Sequence, residues 1–128
     1  MTSLPKILIV DDDHDTLDLL EIYLYRKYDI ITAINGFMGL TRAEEILPAL
    51  VMTDISMPVM DGIGFFNGMR RNMKTQKIPV IAITSFGREH TAKSLLSMGF
   101  CGVINKPPES AAVIELVERI MQKPGARQ

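Results

Sequence analysis

Short apolar runs alternate with longer amphipathic stretches along the chain. The runs are Ile7 to Val10, Ile30-Ile31, Leu50 to Met52, Val80 to Ile83 and Val103-Ile104. Each is too short for a helix, and most are rich in branched side chains, so they predict strands. Their apolarity is continuous rather than alternating, which predicts burial on both faces, as in a parallel sheet covered by helices. Helical patterns lie between them. Leu17, Leu20 and Leu24 recur at three and four. Asn35-Gly36 reads as a turn, and Phe37 to Leu47 carries Leu40, Ala43 and Leu47 on one stripe. Gly62 to Met73 predicts a third helix, weakened by Gly64 and Gly68. Glu89 to Met98 predicts a fourth, with Gly99 as its stop. Val113, Leu116, Val117 and Ile120 give the fifth a core-facing stripe. Five βα units joined by right-handed crossovers predict an α/β fold, a doubly wound (βα)5 sandwich with a five-stranded parallel sheet and helices on both faces.

Composition bounds what such a domain does. The 128 residues are 47 % hydrophobic and 23 % charged, the proportions of one globular domain spanning 1–128. A chain of this length buries roughly two-thirds of its unfolded surface and needs no structural metal or disulfide to fold. A net charge of −1 gives the whole molecule no pull toward nucleic acid or an anionic membrane. Cys101 is the single cysteine, so an intramolecular disulfide is ruled out and a reducing compartment is the default. No apolar run approaches the roughly 20 residues that span a bilayer, and the N-terminus lacks the pattern of a signal peptide. A cytoplasmic location is expected. Residues 122–128, with Pro124 and Gly125, are expected to form a frayed tail.

In an open parallel sheet, ligands bind at the carboxyl ends of the strands. Asp11, Asp12 and Asp13 follow the first run, Asp54 the third, Thr84 and Ser85 the fourth, and Asn105 and Lys106 the fifth. Carboxylates, a hydroxyl and an ammonium therefore converge on one edge. Adjacent carboxylates repel, but a hard dication among them makes the cluster stable, and Mg2+ fits oxygen ligands best. A rigid carboxylate at Asp54, beside a dication, is able to attack phosphorus and become an acyl phosphate. Lys106 would neutralise the phosphoryl oxygens, and Thr84 would donate its hydroxyl proton to one of them.

The motifs "ILIVDDD", "MTDISMPVMDG", "PVIAITS" and "INKP" occur in that order. They are spaced 42 residues from Asp12 to Asp54, 30 from Asp54 to Thr84 and 22 from Thr84 to Lys106. On these motifs the chain, from Lys6 to about Met121, resembles the receiver domain of two-component response regulators, which has a flavodoxin-like fold. The resemblance implies that Asp54 is the phosphoacceptor. It implies Asp12 and Asp54 as direct Mg2+ ligands, with Asp11 acting largely through water and the backbone carbonyl of Ser56 as a further ligand. Thr84 and Lys106 would be the phosphoryl-sensing pair, and the Lys106-Pro107 bond would be cis. The implied partners are a histidine kinase or histidine phosphotransfer protein and an output protein, with no direct contact to nucleic acid or membrane. A phosphorylation-dependent dimer through the face of the fourth helix, fifth strand and fifth helix is also implied. Two positions depart from the family's usual residues. Val103 stands where an aromatic ring commonly couples the site to that face, and Pro108 stands where Phe is usual. Signalling would then rely on displacement of the segment Phe86 to Glu89, and bulky Phe86 would shield the phosphoryl group.

Plainer roles account for other residues. Asp13 or Asp15 would cap the first helix, and Asp61 would serve the turn with Gly62. His14 and His90 read as solvated, Cys101 as a small core residue, and most methionines as core filling. Arg70, Arg71, Lys74 and Lys77 read as a solvated basic face. Two other functions compete with the signalling module. One is an aspartate-nucleophile phosphatase using Asp11 and Asp13; the other is an interaction module that works without phosphorylation. The chain is expected to carry no output domain, whether as a single-domain regulator or as the receiver of a longer protein.

Overall fold

A computed structural model of the chain describes residues 3–85 and 90–122. Five strands, β1 (Lys6–Val10), β2 (Asp29–Ala33), β3 (Leu50–Asp54), β4 (Val80–Thr84) and β5 (Gly102–Asn105), form one parallel sheet in the order β2-β1-β3-β4-β5. Five helices alternate with them: α1 (His14–Leu24), α2 (Gly36–Ile46), α3 (Gly62–Arg71), α4 (Ala92–Met98) and α5 (Ser110–Gln122). The predicted doubly wound flavodoxin-like architecture is present.

The apolar runs sort by alternation, as side chains of a strand must. Ile7 and Ile9 of β1, Leu50 and Met52 of β3, and Ile81 and Ile83 of β4 pack against Leu17, Leu20 and Leu24 of α1 and the Val113–Ile120 stripe of α5. Leu8, Val10, Val51, Val80 and Ala82 face the other way, onto Phe65, Phe66 and Met69 of α3 and Leu95 of α4. The three central strands are buried on both faces, which is why they read as unbroken apolar runs. The edge strands extend beyond their apolar cores because one side meets solvent, so β2 includes exposed Asp29 and half-buried Thr32.

Several expected boundaries shift. Leu47 is not on the core stripe of α2: it is the C-cap, left-handed at φ 47°, and 53 % exposed. Pro48 follows, and the residue before a proline is pushed out of the right-handed helical region. Gly36, Gly39 and Ala43 are the buried residues of that helix. The third helix ends at Arg71, leaving Met73 exposed. The fourth begins at Ala92, because Thr91 and Ser94 form a capping box, each side chain accepting from the other's backbone N–H at 3.1 Å. Gly99 ends it at φ 121°. Gln122 belongs to α5 rather than to a tail. Phe86, the proposed helix start at Glu89 and the rest of the tail lie outside the described residues. Cys101 is exposed, on the turn before β5, and not a core residue. Among the described residues no helix is long and apolar enough to cross a membrane.

Candidate functional site

The sheet order reverses direction between β1 and β3, and the crevice at their carboxyl ends is where an open α/β sheet binds ligands. Register pairs Val10 with Thr53, so Asp11 and Asp54 follow side by side. Both carboxylates are buried, Asp11 completely and Asp54 to 4 % exposure. The Asp13 N–H donates to Asp11 Oδ1 at 2.9 Å. The Ser56 N–H donates to Asp54 Oδ1 at 3.3 Å. Lys106 enters from β5, its ammonium 3.0 Å from Asp11 Oδ2 and 3.3 Å from Asp54 Oδ2. The Lys106-Pro107 peptide is cis, as the family likeness implies. Lys106 N–H is tied to the Thr84 carbonyl at 2.9 Å.

Burial pushes the Asp11 carboxyl up to about 6, and the charge of Asp54 adds to the rise. The Asp13 N–H and the Lys106 ammonium pull the other way without cancelling it. Burial lowers the Lys106 ammonium, but the adjacent Asp11 and Asp54 carboxylates outweigh this and hold it above its ordinary value.

Asp12 is exposed, and one carboxylate oxygen from each of Asp11, Asp12 and Asp54 lies within 4.8 Å of the others. Among the described residues, Asp11 Oδ2 is buried and accepts no hydrogen bond, and the Lys106 ammonium is the positive charge facing it. Three clustered carboxylate oxygens suit a small hard dication such as Mg2+. Asp13 faces elsewhere. Its carboxylate caps α1, accepting from Asp15 N–H at 3.0 Å and from the Thr16 hydroxyl at 2.9 Å, and the Thr16 bond foremost holds it below the usual carboxylate range. Thr84 reaches the same edge, but its hydroxyl donates to the Ser85 carbonyl at 2.7 Å.

Sequence reasoning did not find four features. Gly62 is more than a turn residue: a Cβ there would lie 2.1 Å from the Asp54 carbonyl oxygen, so α3 approaches the acceptor's backbone only because the side chain is absent. Its place after "MD" in the motif was the available signal. Asp61 caps α3 through Gly64 N–H at 2.8 Å. Arg70 is not simply solvated; its guanidinium lies 4.5 Å from the Phe66 ring centroid and donates to the Ile78 carbonyl at 3.0 Å. Tyr23 on α1 donates its hydroxyl to the Pro108 carbonyl at 3.0 Å, across 85 residues of chain, with no local signal in the sequence.

Comparison with known proteins shows the family of the chain. Residues 7–118 match the response regulator receiver domain, and the chain belongs to that family. It is 38 % identical over 114 residues to an uncharacterized 14.6 kDa protein of Leptolyngbya boryana, covering 88 % of this chain and 87 % of that one. It is 30 % identical over 121 residues to the DNA-binding dual master transcriptional regulator RpaA of Synechocystis, covering 94 % of this chain but 50 % of the relative. Among solved structures, the response regulator from Desulfuromonas acetoxidans matches with a TM-score of 0.83 at 29 % identity, over 91 % of this chain and 96 % of that one. The receiver domain of NtrX from Brucella abortus matches with a TM-score of 0.83 at 28 % identity, over 91 % and 98 % of the two chains. The chain is therefore a phosphoacceptor-type signalling domain, and it spans about half the length of RpaA.

Proposed function

We propose that Asp54 accepts a phosphoryl group from the phosphohistidine of a histidine kinase or phosphotransfer protein. The observation that carries this reading is the buried Asp54 carboxylate, held by Ser56 N–H and the Lys106 ammonium beside Asp11. An Asp54 carboxylate oxygen attacks phosphorus, the P–N bond to the donor imidazole breaks, and an acyl phosphate forms. Lys106 shifts from its carboxylate partners to the new phosphoryl oxygens, where its charge is needed. Thr84 exchanges the Ser85 carbonyl for a phosphoryl oxygen, a charge-assisted and therefore stronger bond. Mg2+, when held by Asp11, Asp12, Asp54 and the Ser56 carbonyl, would neutralise charge on the transferring phosphoryl group. Water attack on phosphorus returns the carboxylate, so the domain cycles as a regulator rather than turning over a diffusible substrate.

The exchanged Thr84 contact would alter the face made by α4, β5 and α5. A groove of about 770 Å3 opens there, with Leu96, Val103 and Leu116 in its lining. An output protein, or a second copy in a phosphorylation-dependent dimer, would read this face. We read residues 1–128 as one receiver domain in a cytoplasmic setting. The phosphatase alternative is weakened by Asp13, whose carboxylate is engaged in capping α1 and is not poised as a second acid beside Asp11. The interaction-only alternative gives no role to the Asp54–Lys106 pair. Incubation with acetyl phosphate and Mg2+ tests the proposal: one phosphoryl group should be gained, labile in base, and Asp54→Asn should gain none.

A further inference from the structure

Lys106 is followed by Pro107 and Pro108, and neither proline has an N–H to donate. The segment is anchored by the Lys106 N–H at one end and by the Pro108 carbonyl at the other. The first anchor is the bond from Lys106 N–H to the Thr84 carbonyl at the end of β4. The second is the Tyr23 hydroxyl, which donates to the carbonyl of buried Pro108 at 3.0 Å. The Tyr23 ring is half-buried against the core shared by α1 and α5, which fixes where its hydroxyl sits. The same helix starts at the Asp13 cap, directly after Asp11 and Asp12. One rigid element thus carries the acidic loop at its beginning and grips the lysine segment near its end.

From this connection we infer that Tyr23 is a positioning residue: through the Pro108 carbonyl it holds the Lys106 ammonium against Asp11 and Asp54. The consequence for phosphoryl transfer rests on the acceptor role proposed for Asp54; the placement of Lys106 does not. Losing one neutral hydrogen bond in a tethered loop should slow a step that needs the loop in place roughly three- to tenfold.

The test compares Tyr23→Phe, which keeps the ring, with Lys27→Ala. Lys27, in the turn after α1, makes an exposed ion pair at 2.9 Å with Glu118 of α5, away from the lysine segment. The first readout is the side-chain ammonium and ε-carbon NMR signal of Lys106 in the unphosphorylated protein. It should move toward the position of solvated lysines in Tyr23→Phe and stay in place in Lys27→Ala. The second is the rate of acyl phosphate formation from acetyl phosphate and Mg2+, which should fall roughly three- to tenfold in Tyr23→Phe only. An unmoved Lys106 signal in Tyr23→Phe, or an equal movement in Lys27→Ala, overturns the inference. A moved signal with an unchanged rate upholds the placement and overturns its consequence for phosphoryl transfer. If the parent protein gains no phosphoryl group at Asp54, the acceptor reading fails, and the Lys106 signal still decides the role of Tyr23.

Discussion

The Lys106 ammonium stands 3.0 Å from Asp11 Oδ2, a buried oxygen that accepts no hydrogen bond among the described residues. Removing that ammonium leaves a carboxylate inside the protein without its counter-charge. Lys106→Met should destabilise the metal-free protein by up to about 3 kcal/mol at alkaline pH, since an uncompensated buried charge is the costly outcome of breaking such a pair.

The pH dependence has a definite sign. Asp11 titrates at about 6 in the folded protein against an ordinary 3.8, so the folded state holds this proton more firmly than the unfolded chain does. That contribution to stability is complete below the ordinary value and is lost as pH rises through about 6. Chemical denaturation in chelator at about pH 4 and about pH 8 should show the loss, and Asp11→Asn should flatten it. Lys106→Met should steepen it. A parent protein whose Asp11-dependent stability grows over this range would contradict the assignment.

Mg2+ should raise the melting temperature, because it binds the assembled carboxylates and not the unfolded chain. Asp12→Ala should remove most of that increment. Asp13→Ala should lower the baseline by about 1 kcal/mol through loss of the α1 cap and leave the increment nearly whole. Equal losses of the increment in the two variants would mean that the ligands are misassigned.

Gly62→Ala places a methyl group against the Asp54 carbonyl, 2.1 Å from it before relaxation. The helix must retreat or the acceptor strand must bend, so unfolding titrations should show a loss of at least about 2 kcal/mol. Gly64→Ala, whose nearest neighbour is the Met60 side chain at 3.3 Å, should be close to neutral, with helix propensity offsetting the crowding.

Thr84→Ala should still allow a phosphoryl group on Asp54, yet the response to beryllofluoride in amide chemical shifts over residues 90–98 should largely disappear. Val103→Ala should leave most of that response, because a β-branched stub has no ring to reorient. If the two variants silence α4 equally, Val103 is the coupling element.

The fold was legible wherever burial on two faces left an unbroken apolar run, as in Ile7 to Val10 and Val80 to Ile83. The stripe of α5 was equally plain, and all four of its expected core residues are buried. Leu47 misled because spacing alone places it on the stripe, while Pro48 turns the chain before it. Asp11, Asp54, Thr84 and Lys106 were visible as residues at strand ends, since the topology gathers those ends at one edge. What their partners are was not visible. Neighbouring acids behave differently here: Asp11 is buried against Lys106, Asp12 is open to solvent, and Asp13 caps a helix. The direction of the Thr84 hydroxyl and the reach of Tyr23 to Pro108 depend on three-dimensional placement that no local pattern encodes.

Reduction of the acyl phosphate with borohydride tests the central claim most directly, because it converts a phosphorylated aspartate to homoserine and so marks the acceptor permanently. Trypsin releases the stretch from Ala43 to Arg70, which holds both Asp54 and Asp61. After treatment with acetyl phosphate and Mg2+, fragment sequencing by mass spectrometry should find homoserine at position 54 and aspartate at position 61. Homoserine at position 11, 13 or 61, with aspartate intact at position 54, would contradict the account.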